Sequence, residues 1–255
     1  MDQVEHAPVL RNSVSDEEWE TRVDLAAAHR LAEMKDWTDL IFNHFTARVP
    51  GEPHHFLIKR HSLFFEEVTA SNLVKVDLNG EVMGTGDDVN TAGFVIHSAV
   101  YAARPDVNAV MHLHSQVGTA ISARRDGLRF LCQEAMQFYD RVAYHDFEGI
   151  ALDLEERDRL AHDLGQKNTM IMRNHGLLTC GQSVGTAMLA LRNLIMVAET
   201  QIQIEATGAA IVTPPADVCE RTAQQYEQFV HKHGRRTEWQ GVLRFLDRRD
   251  PSYRN

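Results

Sequence analysis

The chain has 255 residues, 44% apolar and 24% charged, which excludes an intrinsically disordered protein and a small disulfide-stapled scaffold. A formal charge of -10 gives little support for binding a nucleic-acid backbone. No apolar run reaches membrane-spanning length, the acidic start lacks signal-peptide layout, and Cys132, Cys180 and Cys219 are unclustered; the expectation is a cytoplasmic protein with no nucleic-acid or membrane partner.

Residues 1–15 read as a flexible N-terminal arm, and 16–255 as a single domain with helices at its C-terminus. Ser15 or Asp16 is placed to cap a helix whose first turn is acidic. Trp19, Val23, Ala26, Ala27, Leu31 and Met34 keep a helical stripe to about Lys35. DLIFNHFTARVP then predicts a strand ending at a Pro50-Gly51 turn. HHFLIK and SLFFEEV are expected as further short strands of an antiparallel meander, and 74–78 as a strand entering a tight turn at Asn79-Gly80.

Residues 90–104 should form a helix stopped by Pro105, followed by a strand over 107–114 and a short helix over 116–124. A strand over 141–144, a helix over 154–164 and a buried strand over 169–173 come next. Val184, Ala187, Met188, Leu191, Leu194, Ile195, Ala198 and Ile202 recur at helical spacing and mark one long helix. Pro214-Pro215 breaks the chain before one or two closing helices. This mixed order predicts an α/β fold with helices on both faces of a sheet.

The sharpest local feature is NAVMHLHS. On a strand, His112 and His114 point to the same face and can share a metal ion. A catalytic zinc site takes three protein ligands and keeps one position open. RNHGLLTCG offers the third ligand, His175, at a strand end beside Gly176. With 14 histidines in the chain, chance pairs are expected, and His54-His55 and His231/His233 are read as solvated.

The run NTAGFVIHSAVYAARPDVNAVMHLHS, followed by RNHGLLTCG, resembles the class II aldolase/adducin superfamily. LAAAHRLAEMKDWTDLIFNHFTARVP and FFEEVTASNLVKVDLNGEV extend the likeness over most of residues 20–210. The resemblance implies a three-layer α/β/α fold with a central, mostly antiparallel mixed sheet. It also implies one divalent metal ion per chain on His112, His114 and His175, with zinc first and manganese, cobalt or iron as alternatives. A homo-oligomer, in first place a tetramer, with its site near a subunit boundary belongs to the same expectation.

Two departures from the aldolase pattern stand out. Sugar-phosphate aldolases of the family carry an acid/base glutamate four residues before the histidine at 97, and here that position is Gly93. Their phosphate-binding turn keeps only Asn43; the threonine-glycine pair is replaced within RHSLFFEE, and the serine pair near Gly86-Asp87-Asp88. Adjacent carboxylates repel phosphate, so a phosphorylated sugar is not expected.

The resulting expectation is a divalent-metal-dependent carbon–carbon lyase, of aldolase or decarboxylase type. Its substrate would be a small oxyanion such as a keto or hydroxy acid or a catechol carboxylate, cleaved through a metal-stabilised enolate. The alternatives are a non-haem iron oxygenase on the same histidines and a non-catalytic, adducin-like scaffold. Tyr139, His97 and His145 are the catalytic candidates, with Glu134, Asp87 and Asp88 as further proton carriers. Asn43 and His44 are the substrate-binding candidates, beside Thr46, and Lys59 or Arg60 could meet a substrate anion. Tyr226, Trp239 or Tyr253 could complete a site between subunits.

Overall fold

The computed structural model describes residues 10–84, 88–234 and 236–255. Of the expected arm, residues 1–9 lie outside the described residues, and Leu10 to Ser13 form a turn (Ser13 N–H to Leu10 O, 2.9 Å). Ser15 caps helix α1 (Asp16–Met34): its side chain accepts from the Glu18 amide, and three acidic residues occupy the first turn.

Eight strands follow: β1 (His44–Val49), β2 (Glu52–Ile58), β3 (Val74–Asp77), β4 (Val82–Met83), β5 (Ala109–Leu113), β6 (Val142–His145), β7 (Thr169–Met172) and β8 (Gly176–Gly181). They make one sheet in the order β4-β3-β2-β1-β5-β8-β7-β6. All neighbours are antiparallel except β6 and β7. A parallel pair needs a crossover, and here helix α4 (Glu156–Leu164) lies in the connection.

The remaining helices are α2 (Thr91–Ala103), α3 (Gln116–Ser122), α5 (Val184–Ala206), α6 (Ala216–His233) and α7 (Arg236–Asp247). Alternate strand residues feed two cores. Phe45, Ala47, Met111, Leu113, Ile171 and Leu177 pack with α1 and α5 residues such as Leu25, Ala28, Leu191 and Ile195. Phe56, Val110, Met170 and Leu178 pack on the other face, with Ile96 and Val100 of α2 and Leu160 of α4. The result is the three-layer α/β/α arrangement with a mostly antiparallel mixed sheet.

One strand reading is corrected, and one strand was not foreseen. SLFFEEV is no strand: Phe65–Glu67 form a 3-10 turn that buries Phe65 and leaves Phe64 exposed. GLLTCG is a strand, β8, buried along its whole length between β5 and β7. Among the described residues no helix is long and apolar enough to cross a membrane.

Candidate metal centre

The centre forms where three strands end together. His112 lies on β5 opposite His44 of β1, and His114 stands just past the end of β5 on the same side. The β7–β8 turn, Arg173 to His175, brings the third imidazole, with Asn174 in the left-handed region (φ 54°). Gly176 makes the approach possible. A Cβ there would collide with the Leu113 carbonyl oxygen and stand 3.2 Å from His114 Cδ2.

The Nε2 atom of His114 lies 2.9 Å from His112 Nε2 and 2.9 Å from His175 Nε2. Ring centroids in this trio are 4.8 Å apart in every pair. One imidazole nitrogen either carries a proton or offers a lone pair, so three converging nitrogens cannot all be satisfied by one another. A cation satisfies all three. Nitrogens bound tetrahedrally at about 2.0–2.1 Å would stand about 3.3 Å apart, close to the spacing here. The residues therefore fit a divalent metal.

Their protonation suits that role. Burial, helped by the neighbouring imidazoles, pushes His112 well below the ordinary histidine value and His175 down to about 4. Both are neutral at pH 7, with lone pairs to offer. His114 Nδ1 faces Asp39 Oδ2 at 3.3 Å, the kind of outer contact that orients a ligand histidine. His112 Nδ1 is buried without a hydrogen-bond partner among the described residues.

The structure brings some of the other sequence-derived candidates here and leaves others away. His44 stacks on His112 (centroids 4.9 Å, 23°), and its Nδ1 meets His97 Nε2 at 2.9 Å. His97 is fully buried behind it. Asn43 is buried beside them; Oδ1 accepts from the Asp39 amide at 2.7 Å, and Nδ2 has no partner among the described residues. His145 ends β6 at the same edge of the sheet as the β7–β8 turn, with Nδ1 2.7 Å from Asp163 Oδ2. Tyr139 precedes the opposite end of β6 and packs against Phe130 (5.0 Å).

Lys59 is occupied by the fold. Its ammonium donates to the carbonyls of Ile41, Arg60, His61 and Leu63 at 2.8–3.3 Å. Trp239 and Tyr253 are buried in their own chain. Asp87 lies outside the described residues. The sequence reading missed Asp39, a loop residue with no local pattern around it, and Phe147, an exposed ring 6.3 Å from that of His175.

Three converging imidazoles at the strand ends of a three-layer, mostly antiparallel sheet define the class II aldolase and adducin architecture. Residues 23–202 match the family described as the class II aldolase and adducin N-terminal domain, and the chain belongs to it. An aldolase II superfamily protein from Pseudomonas syringae superposes with a TM-score of 0.90 at 49% identity, over 96% of this chain and 99% of that one. L-fuculose 1-phosphate aldolase from Glaciozyma antarctica follows at TM-score 0.76 and 27% identity, over 94% and 93%. Alpha-adducin of Mus musculus is 46% identical over 73% of this chain, which spans only 26% of that protein.

Proposed function

We propose that the protein is a divalent-metal-dependent carbon–carbon lyase acting on a small oxyanion such as a keto acid, a hydroxy acid or a catechol carboxylate. The observation that carries this reading is the convergence of three imidazole Nε2 atoms beside the buried Asn43, whose Nδ2 has no hydrogen-bond partner among the described residues. His112, His114 and His175 would hold the ion, with zinc as first choice because it suits imidazole in an open three-ligand site. A bound ion supplies Lewis acidity that lowers the cost of negative charge on a substrate oxygen. Asn43 and His44 would orient the substrate's oxygens. His97 acts on the cleft through His44. His145, and Tyr139 from a second copy of the chain, remain the candidates to hold a proton. Exposed Leu40, Phe42 and Phe147 lie close in sequence or space to Asp39 and His175, which supports a homo-oligomer with the site near its boundary.

The likeness to alpha-adducin favours one second reading, a metal-holding module without turnover. Elemental analysis of the purified protein, followed by a substrate panel with the metal restored, separates the two. The panel includes L-fuculose 1-phosphate, the sugar phosphate in the name of the Glaciozyma antarctica aldolase, alongside keto acids, hydroxy acids and catechol carboxylates. Release of aldehyde or carbon dioxide supports the lyase. Iron with oxygen consumption would replace it by an oxygenase, and one metal per chain without turnover would replace it by the scaffold.

A further inference from the structure

Behind the ligand histidines, the face of β1 under helix α2 is polar and buried. His44, Thr46 and Arg48 alternate along the strand, and His97 and Tyr101 descend from the helix. They form one hydrogen-bonded chain. His44 Nδ1 meets His97 Nε2 at 2.9 Å, His97 Nδ1 meets Thr46 Oγ1 at 2.5 Å, and Thr46 Oγ1 meets the Tyr101 hydroxyl at 2.9 Å. His97 and Thr46 are fully buried, and His44 and Tyr101 are only 2% exposed. The Arg48 guanidinium lies 4.7 Å from the centre of the Tyr101 ring.

Such a chain has a direction. Each neutral imidazole offers one N–H and one lone pair, and burial keeps His97 neutral, pushed down to about 3. If the protons pointed inward from His44, Thr46 would donate to Tyr101 and the tyrosine proton would have no acceptor among its described contacts. Thr46 Oγ1, 2.9 Å away, is the acceptor that the Tyr101 hydroxyl finds among the described residues. A buried phenol O–H without an acceptor is costly, so the Tyr101 proton goes to Thr46. Thr46 then donates to His97 Nδ1, and His97 Nε2–H donates to His44 Nδ1. The His44 proton is left on Nε2, which has no protein partner among the described residues.

We propose that Tyr101, Thr46 and His97 are positioning residues that fix His44 as its Nε2–H tautomer, a neutral hydrogen-bond donor beside the metal centre for an oxygen of the substrate. Gly93 supplies the room, because a Cβ there would stand 2.8 Å from His44 Cδ2. The stack on His112 fixes the ring plane from the other side. The donor's target, a substrate oxygen, rests on the lyase reading; the tautomer does not.

Long-range proton–nitrogen NMR on the 15N-histidine-labelled full chain, as purified and after zinc addition, reads the tautomers directly, with His44→Gln assigning the signal. His44 is expected with Nε2 protonated and Nδ1 bare. Thr46→Val should abolish that preference and give a mixture, and Thr46→Ser should restore it. Tyr101→Phe removes the first donor and should act like Thr46→Val, so one variant that fails to fold leaves the other. An Nδ1–H tautomer in the wild type, or a His44 signal unmoved in the folded variants, would overturn the proposal. Metal content and turnover are scored separately. Correct tautomers without turnover would sink the lyase reading alone, and reversed tautomers with turnover would sink this inference alone.

Discussion

The ring of His44 occupies the space that a side chain on Gly93 would need: an added Cβ would stand 2.8 Å from His44 Cδ2 and 2.9 Å from Cγ. The ring has little freedom to retreat, with His112 stacked on it and His97 bonded to Nδ1. Gly93→Ala sets two effects against each other. Replacing glycine in the first turn of α2 gains up to about 0.5–1 kcal/mol in helix propensity. Overpacking a filled core costs about 1–3 kcal/mol, so the clash should win. The thermal midpoint should fall by a few degrees, at about 2–4 °C per kcal/mol for a chain of this size. A midpoint equal to or above wild type, with the His44 NMR signals unmoved, would show that the ring is not confined by residue 93.

The three converging histidines should behave as a unit. His112→Ala, His114→Ala and His175→Ala should each abolish stoichiometric metal binding while most of the fold survives. A metal that binds only the folded state stabilises it by about 2.7 kcal/mol at a hundredfold excess over Kd, or about 5–10 °C in midpoint. Added zinc should therefore raise the wild-type midpoint and leave the three variants unmoved. Full metal occupancy in two of the three would refute the assignment.

Much of this centre was legible because a strand repeats every two residues. That period puts His112 and His114 on one side, and β5 has the predicted type. The third imidazole, His175, was legible only as a histidine before glycine. The strand it introduces, β8, was missed because GLLTCG is short and begins and ends in glycine, and its burial comes from β5 and β7 on either side. SLFFEEV misled for the opposite reason: its aromatic residues suit a strand, but the chain turns there and buries Phe65 alone. The positions of Asp39 and Tyr139 follow from where loops and strand ends fall in three dimensions, and no periodicity encodes them.

Asp39 should tune the metal without binding it. Its carboxylate lies 3.3 Å from His114 Nδ1, and its half-exposed side chain keeps the contact in reach of water. Losing such an outer partner typically costs about 10–100-fold in metal affinity, and exposure argues for the lower end. Asp39→Asn should weaken zinc binding roughly tenfold in a chelator competition, with stoichiometry unchanged. An affinity within about twofold of wild type would mean that the carboxylate does not orient His114.

Buried histidines should make the fold acid-sensitive well above the carboxylate range. His29 sits between the rings of Phe45 and Phe65 with Nδ1–H donating to the Leu25 carbonyl at 2.8 Å, and burial pushes it down to about 3. Lys59 and Arg30 add to that depression, and His97 is likewise held near 3 by burial. The sign follows from the reference value of 6.5. Above it both imidazoles are neutral folded or unfolded, and the stability they confer is fully present. As pH falls below 6.5 the unfolded chain takes up protons that the folded chain refuses until about 3. Each site should cost about 2 kcal/mol between pH 6.5 and 5. Asp106 and Asp163, held below the usual carboxylate value by Arg104 and His145, lose their contributions only at lower pH. Urea unfolding of the metal-free protein should therefore give a clearly lower stability at pH 5 than at pH 7. His29→Gln should reduce the proton uptake on unfolding by about one, whatever it does to stability at pH 7. Equal stabilities at the two pH values, or an unchanged slope in His29→Gln, would show that these histidines already accept protons in the folded chain.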